Sequence, residues 1–234
     1  MDIYYSPKYY YDSVFTDFKD MFRSKGREVR FSKGSTIIGP DELMHELYYI
    51  TSGITRFYVI GEDINGETLE KTIWFTGKDD VFPLYGPYGV HCRFEYENQM
   101  LSAYTDVEAI RITRKDALEM MKENFSFAQT MLDKYAELAG ILLYESVNLM
   151  RSARRRIINF LNMYEEVLKP NGIILTQEEI ATITGTTLPT VARELKVLRE
   201  AGIIETSRKQ IVIKDNQKLY ELCSDAATKD GPML

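Results

Sequence analysis

The chain has little cysteine and histidine, and it has no long apolar run. Its two cysteines are Cys92 and Cys223, and its two histidines are His45 and His91. Two thiols so far apart form no CxxC pair and are too few to hold an iron–sulfur cluster by thiolates alone. No window approaches the roughly 18 consecutive apolar residues that a membrane span requires, and the first residues lack the pattern of a secretory signal. We therefore expect a cytoplasmic protein without metal, cofactor or membrane partner.

The negative charge of the chain is unevenly distributed. The formal net charge is −6, but residues 151–214 contain 11 Lys+Arg and 7 Asp+Glu, a net charge of +4. Residues 1–150 contain 16 and 24, a net charge of −8. This asymmetry is typical of a nucleic-acid-binding module attached to an acidic body, although a solvated basic face would give the same counts.

Residues 28–112 predict a β domain. Short β-branched and aromatic runs alternate with turn signals at intervals of roughly 8–12 residues, which favours a sandwich or jelly roll. Asn65-Gly66 is the strongest hairpin signal. We predict an α+β protein whose residues 1–114 form a double-stranded β-helix of jelly-roll type.

Residues 115–150 predict a long amphipathic helix. Between Ser126 and Leu149 only Gly140 interrupts the helix-forming sequence, and apolar side chains recur at helical spacing. The stripe could pack on its own β domain or form a coiled-coil dimer, and we expect the dimer. The predicted interface consists of Met131, Tyr135, Leu138, Leu142 and Leu149.

Residues 151–234 predict a winged helix-turn-helix. Thr176 and Glu179 have the spacing of a capping box, and Gly185 suits the sharp turn before a helix that begins after Thr187. Two apolar runs then flank a polar tip that carries Arg208 and Lys209, which predicts a β wing.

The side chains of this segment suit a duplex DNA partner. Small hydroxyls at a helix N-terminus can bind phosphate oxygens, and an arginine one turn later can grip guanine or phosphate. Taken one at a time, these residues would be ordinary exposed side chains, but here they occur together and in order. The predicted DNA contacts are Thr176, Gln177, Thr186, Thr187, Leu188, Pro189, Thr190, Arg193, Lys196, Arg208 and Lys209.

This order of segments resembles the Crp/Fnr superfamily of bacterial transcription regulators, most specifically over residues 175–213. The resemblance implies a cyclic-nucleotide-binding-like domain, a homodimer joined through the long helix, and a palindromic operator read in adjacent major grooves. It also makes RNA polymerase a candidate partner. Leu188 and Pro189 stand where well-known members carry base-reading arginine and glutamate, so the operator sequence is not implied.

The resemblance also bears on the effector. Pro83-Leu84-Tyr85 and Glu97-Asn98 replace the patterns that hold a cyclic nucleotide, so we expect an apolar or aromatic small molecule rather than cyclic AMP. The pattern is similar to the subgroup that senses halogenated phenols, whose phenolate-binding lysine has no clear counterpart here, although Lys134 is nearby. We place the effector between the β domain and the long helix. The predicted ligand contacts are Trp74, Phe82, Leu84, Tyr85, Tyr88, Phe94, Tyr96, Tyr135, Leu138 and Leu142.

Other functions fit parts of the sequence. A regulator of the same fold could respond to a cyclic nucleotide, or to haem through His91 or Cys92. A cupin-type metalloenzyme would need several histidines or carboxylates around a metal, for which the chain offers few histidines. An assembly module that binds neither ligand nor DNA would use only the long helix.

Overall fold

The computed structural model describes residues 9–39, 46–62, 66, 68–82, 98–207 and 210–229. The chain divides into two compact units, an N-terminal unit over Tyr9–Leu142 and a C-terminal unit that includes Leu143–Leu234. The boundary between the units falls inside a long helix. The mixed α+β fold agrees with the prediction, whereas the predicted domain limits at 114 and 150 stay predictions.

Two β-sheets form most of the N-terminal unit, which we call the β roll. The first sheet has the strand order β1-β6-β5-β8-β3 and the second has the order β2-β9-β4-β7. The strands are β1 Tyr10–Tyr11, β2 Arg27–Phe31, β3 Thr36–Ile38, β4 Glu46–Ser52, β5 Thr55–Glu62, β6 Thr68–Thr76, β7 Val81–Phe82, β8 Gln99–Ala103 and β9 Val107–Thr113. Strands β5 and β6 pair antiparallel, as the hairpin signal predicts, and Gly66 between them has a φ of +77°. Asn65 lies outside the described residues.

The two sheets share one hydrophobic core. The rings of Phe57 and Trp74 in the first sheet contact Phe82 in the second, with centroid distances of 4.9 and 5.8 Å. All three side chains are buried. Burial of large aromatic rings is the main source of stability in such a unit.

Strand β1 closes one edge of the first sheet. It pairs in parallel with β6, and Phe75 N and Gly77 N donate hydrogen bonds to the carbonyls of Tyr9 and Tyr11. A Cβ at Gly77 would overlap the Tyr10 side chain, so glycine is required for this close approach. The segment that follows continues through a short 3₁₀ turn, Thr16–Phe18, into α1, Lys19–Lys25.

Two helices follow the β strands. Helix α2, Arg114–Glu123, begins with a capping box between Thr113 and Asp116. Helix α3, Phe125–Leu149, is the predicted long helix. Its first half contributes Phe127, Met131 and Leu138 to the core of the β roll.

The C-terminal unit contains four further helices and a hairpin. Its elements are α4 Ala153–Met163, a π-helical turn Tyr164–Leu168, α5 Gln177–Thr184, α6 Leu188–Glu200, β10 Ile204–Ser207, β11 Gln210–Ile213 and α7 Asn216–Lys229. Helix α4 packs against α5, α6 and α7. It begins at Ala153, because Ser152 acts as its N-cap and accepts a hydrogen bond from Arg155 N.

Candidate nucleic-acid interface

The turn between α5 and α6 has the local structure that the sequence predicts. Thr176 Oγ1 accepts a hydrogen bond from Glu179 N at 3.2 Å, and Glu179 Oε2 accepts one from Thr176 N at 2.7 Å. Gly185 ends α5 with φ +60° and ψ +41°, the left-handed conformation that favours glycine. The capping box and the glycine turn are therefore confirmed.

Helix α6 buries one face and exposes the other. Val191, Leu195 and Leu198 are buried. Thr187 is the N-cap residue, but its side chain does not cap the helix; its hydroxyl lies 3.0 Å from the Thr190 hydroxyl instead. The first-turn backbone N–H groups of α6 therefore have no side-chain cap, which suits an anionic partner.

The exposed face of α6 carries the two predicted cations. The Arg193 side chain is 68% exposed and its Nε lies 3.4 Å from Glu194 Oε1. Lys196 Nζ lies 3.8 Å from Glu200 Oε1, and both side chains are 64% exposed. Glu194 is 12% exposed, but both cations are open to solvent, so phosphate oxygens can reach Arg193 and Lys196 from the solvent side.

The remaining predicted DNA contacts divide into three groups. Exposed residues beside the turn or on the first turns of the helices are Thr176, Gln177, Thr187, Leu188 and Pro189. Thr186 and Thr190 are half-buried, and the Thr186 hydroxyl lies 2.9 Å from the Thr184 hydroxyl. Arg208 and Lys209 lie outside the described residues.

The predicted wing follows α6. Strands β10 and β11 pair antiparallel, with Ser207 opposite Gln210. Arg199 Nη1 donates to Thr206 Oγ1 at 3.3 Å, which ties the wing to α6. The predicted helix-turn-helix and its wing hairpin are thus present in one compact unit.

The β roll places the predicted ligand contacts in different surroundings. Trp74 and Phe82 are 3% and 1% exposed and pack in the aromatic core, so their position is that of core residues. On α3, Tyr135 is half-buried, Leu138 is buried and Leu142 is exposed. Leu84, Tyr85, Tyr88, Phe94 and Tyr96 lie outside the described residues, as do His45, His91 and Cys92.

A buried charge cluster lies beside these α3 residues. Lys134 Nζ donates to Asp80 Oδ2 at 3.0 Å, and the two side chains are 3% and 0% exposed. The Tyr11 ring centroid lies 3.8 Å from the same ammonium. Burial raises the pKa of Asp80, and the Lys134 ammonium and the Val81 N–H partly oppose that increase. The sequence contains a signal for this cluster, since Lys134 interrupts the apolar series Phe127, Met131, Leu138 at helical spacing.

The structure corrects the predicted dimer stripe. Met131 is 0% and Leu138 5% exposed within the monomer, because both pack in the core of their own β roll. Leu142 and Leu149 are about half exposed. They belong to an exposed apolar stripe, which we define as Leu132, Leu142, Leu143, Val147, Leu149 and Met150. Met131, Leu138, Leu142 and Leu149 share one face of α3, so the predicted stripe is buried in its first half and exposed in its second.

Comparisons with known proteins match this architecture. A family model described as the Crp-like helix-turn-helix domain matches residues 155–222. The cAMP-activated global transcriptional regulator CRP of Pasteurella multocida is 25% identical over 194 residues, which cover 79% of this chain and 88% of that protein. The structure of a CooA mutant from Carboxydothermus hydrogenoformans has a TM-score of 0.68 at 26% identity, with 87% of this chain and 90% of that one covered. A transcriptional regulator of the Crp/Fnr family from Eubacterium rectale has a TM-score of 0.67 at 20% identity, with coverages of 89% and 94%.

A β-sheet effector domain, a long helix and a helix-turn-helix define a class of DNA-binding transcription regulators. The C-terminal unit carries a Crp-like helix-turn-helix domain, and most of the chain is similar to a Crp regulator and to the CooA structure. The regulators matched are transcription regulators, so the metalloenzyme alternative is set aside. Among the described residues, no helix is long and apolar enough to cross a membrane.

Proposed function

We propose that this regulator works in the cytoplasm as a homodimer that reads a palindromic operator with one α6 helix in each half-site. The observation that carries the proposal is the face of α6, where the Arg193 and Lys196 side chains are both about two-thirds exposed. The exposed apolar stripe of α3 supports the dimer, since a monomer rarely leaves so many large apolar side chains open to water on one helix.

Operator binding can be tested before any target gene is identified. Duplexes would be selected from a random library with the purified protein, and affinity would then be measured by fluorescence anisotropy at several salt concentrations. We expect selection of a two-fold symmetric site and a steep fall of affinity with salt. Salt-independent or absent binding would contradict the proposal and favour an assembly module.

The double variant Arg193→Ala/Lys196→Ala tests the recognition face. Each lost phosphate contact should reduce the salt slope by about 1 per subunit, and a lost base contact should cost about 1–3 kcal/mol. A matched control, Arg30→Ala/Lys115→Ala, removes two cations from the β roll that are 80% and 84% exposed. The control should leave affinity and salt slope unchanged.

We further propose that the effector is an aromatic organic anion bound between the β roll and α3. Tyr135 and Leu138 lie within about one turn of Lys134 on α3, and Lys134 supplies a buried ammonium. An anionic group could replace Asp80 as the partner of this ammonium, while an aromatic body would suit the apolar surroundings. A ligand of this kind would shift the population of dimer arrangements if it binds one of them more tightly.

Ligand-induced thermal stabilisation can separate the effector classes. The probes are 2-chlorophenol and its acetic acid derivative, cyclic AMP, and haemin with carbon monoxide. We expect the aromatic anion to raise the melting temperature of the wild-type protein but not that of the Lys134→Met variant. Stabilisation by cyclic AMP alone, or by haemin alone, would contradict the proposed effector and leave the DNA-binding proposal intact.

A further inference from the structure

The first turn of α4 carries three consecutive arginines, Arg154 to Arg156, and no acidic residue. The positive end of the helix dipole disfavours cations at this position, so partners elsewhere must hold them. Arg154 Nη1 lies 4.0 Å from Glu194 Oε2 on α6, and that carboxylate is 12% exposed. The start of α4 therefore has one electrostatic contact to the recognition helix.

Arg156 makes two further contacts, each to a backbone carbonyl. Its Nη1 donates to Leu149 O at 2.8 Å, and its Nη2 donates to Gly185 O at 3.0 Å. Leu149 is the last residue of α3, where carbonyls lack partners within the helix and the dipole favours a cation. Gly185 is the left-handed residue of the turn before α6.

One guanidinium thus joins the end of the long helix to the turn of the helix-turn-helix. Both carbonyls belong to the C-terminal unit, and α6 begins three residues after Gly185. Arginine presents donors on separate nitrogens of a rigid plane, whereas the donors of lysine share one nitrogen. Lysine at this position would keep the charge but could not hold both carbonyls in the same geometry.

We propose that Arg156 is a positioning residue that fixes the direction of α6 relative to the C-terminal end of α3. In a dimer joined through α3, this direction sets the separation and rotation of the two recognition helices. Arg156 thereby determines how strictly the dimer discriminates between operator spacings. This inference rests on the proposed dimeric binding of a palindromic operator.

The test compares the wild type with Arg156→Lys on three duplexes. One is the selected operator, and the others have one base pair inserted or removed between the half-sites, which rotates one half-site by about 35°. The wild type should lose about tenfold or more in affinity on each altered duplex. Arg156→Lys should bind the selected operator about fivefold more weakly and lose less than about threefold on the altered duplexes. Its salt slope on non-specific DNA should stay unchanged, because the charge is retained.

Arg151→Lys is the matched control. Arg151 lies two residues before α4 and contacts Tyr144, with Nη1 3.5 Å from the hydroxyl. Its replacement also keeps the charge, but it leaves both carbonyl contacts of Arg156 in place. The control should keep the wild-type discrimination between spacings. Wild-type discrimination in a folded Arg156→Lys protein would overturn the proposal.

Hydrogen exchange tests the role of Arg156 in a measurement that needs no DNA. In Arg156→Lys, amides in residues 144–152 and 182–190 should exchange faster together, because one group protects both segments. Arg156→Gln serves the same measurement if the lysine variant does not fold. Unchanged exchange in both segments would overturn the proposal. If exchange rises in both segments but the wild type selects no operator, the failure belongs to the proposed function and not to the role of Arg156.

Discussion

Replacing Asp80 with Asn should destabilise the β roll more than removing both charges of its ion pair. Lys134 Nζ and Asp80 Oδ2 are 3.0 Å apart, and neither side chain is more than 3% exposed. At this separation the attraction is about 5 kcal/mol with an effective dielectric constant of about 20. The Asn variant removes the buried partner of the ammonium and leaves the half-exposed Glu137 carboxylate 3.8 Å away, and we expect a loss of about 3–5 kcal/mol in the free energy of unfolding.

The double variant Asp80→Asn/Lys134→Met should recover part of that loss. Burial deprives both charges of hydration, and the raised pKa of Asp80 reflects this desolvation. Removing both charges therefore also removes the desolvation penalty. The remaining cost includes the contact between Lys134 and the Tyr11 ring, worth about 1–2 kcal/mol. We expect the double variant to lie within about 2 kcal/mol of the wild type.

Urea unfolding followed by tryptophan fluorescence measures this cycle. Trp74 is the single tryptophan of the chain and is buried in the β roll, so its emission reports that unit. With a slope of about 2 kcal/mol per molar urea, the Asn variant should shift the midpoint by about 2 M. Glu108→Gln removes an exposed partner of Arg30 and should change the free energy by less than about 1 kcal/mol. Additive losses in the double variant, or a loss below about 1 kcal/mol in Asp80→Asn, would refute the reasoning.

Three further perturbations test other parts of the structure. Burial raises the pKa of Tyr10 from 10.0 to about 12. The folding stability that neutral Tyr10 contributes is therefore present below pH 10 and is lost as the pH rises to about 12. Tyr10→Phe should therefore reduce the loss of stability between pH 10 and 12, measured by unfolding at several pH values. Gly185→Ala forces alanine into a φ of +60° and should cost about 1–2 kcal/mol by calorimetry, with Gly185→Asn less affected. Leu143→Glu charges the middle of the exposed stripe and should shift sedimentation towards the monomer, whereas Leu69→Glu on β6 should not.

The helix-turn-helix could be predicted closely because its signals are local. The capping box of Thr176 and Glu179, the left-handed Gly185 and the buried stripe of α6 each depend on residues within about one turn. The arginines at the start of α4 are different, because their partners lie on α3, the turn and α6, which local patterns do not reveal.

The β roll was predicted in outline but not in its pairings. Turn signals and β-branched runs indicate strands, but the parallel pairing of β1 with β6 and the position of β9 between β2 and β4 join segments far apart in sequence. The charge cluster depends on the same long-range contacts, since Asp80 is 54 residues from Lys134. Sequence alone shows the unusual lysine but not the carboxylate that holds it.

The dimer stripe differs from the prediction for another physical reason. Met131, Leu138, Leu142 and Leu149 are 7, 4 and 7 residues apart, so they share one face of α3. Met131 and Leu138 pack in the core of the β roll, whereas Leu142 and Leu149 are about half exposed. Periodicity identifies the apolar face of a helix, but only the tertiary structure decides which part of that face packs on the β roll.

Helix α3 contains the contacts that could link an effector to DNA. Lys134 ties its first half to the β roll, and the carbonyl of Leu149 ties its end to Arg156. Lys134 and Leu149 are about 22 Å apart along α3, which rises about 1.5 Å per residue. An effector that took the place of Asp80 would change the contacts of α3, the same helix whose last carbonyl accepts a hydrogen bond from Arg156. Coupling by this route requires that Arg156→Lys reduce the effect of the ligand on operator affinity while leaving ligand binding itself unchanged, because the two contacts act on separate ends of the same helix.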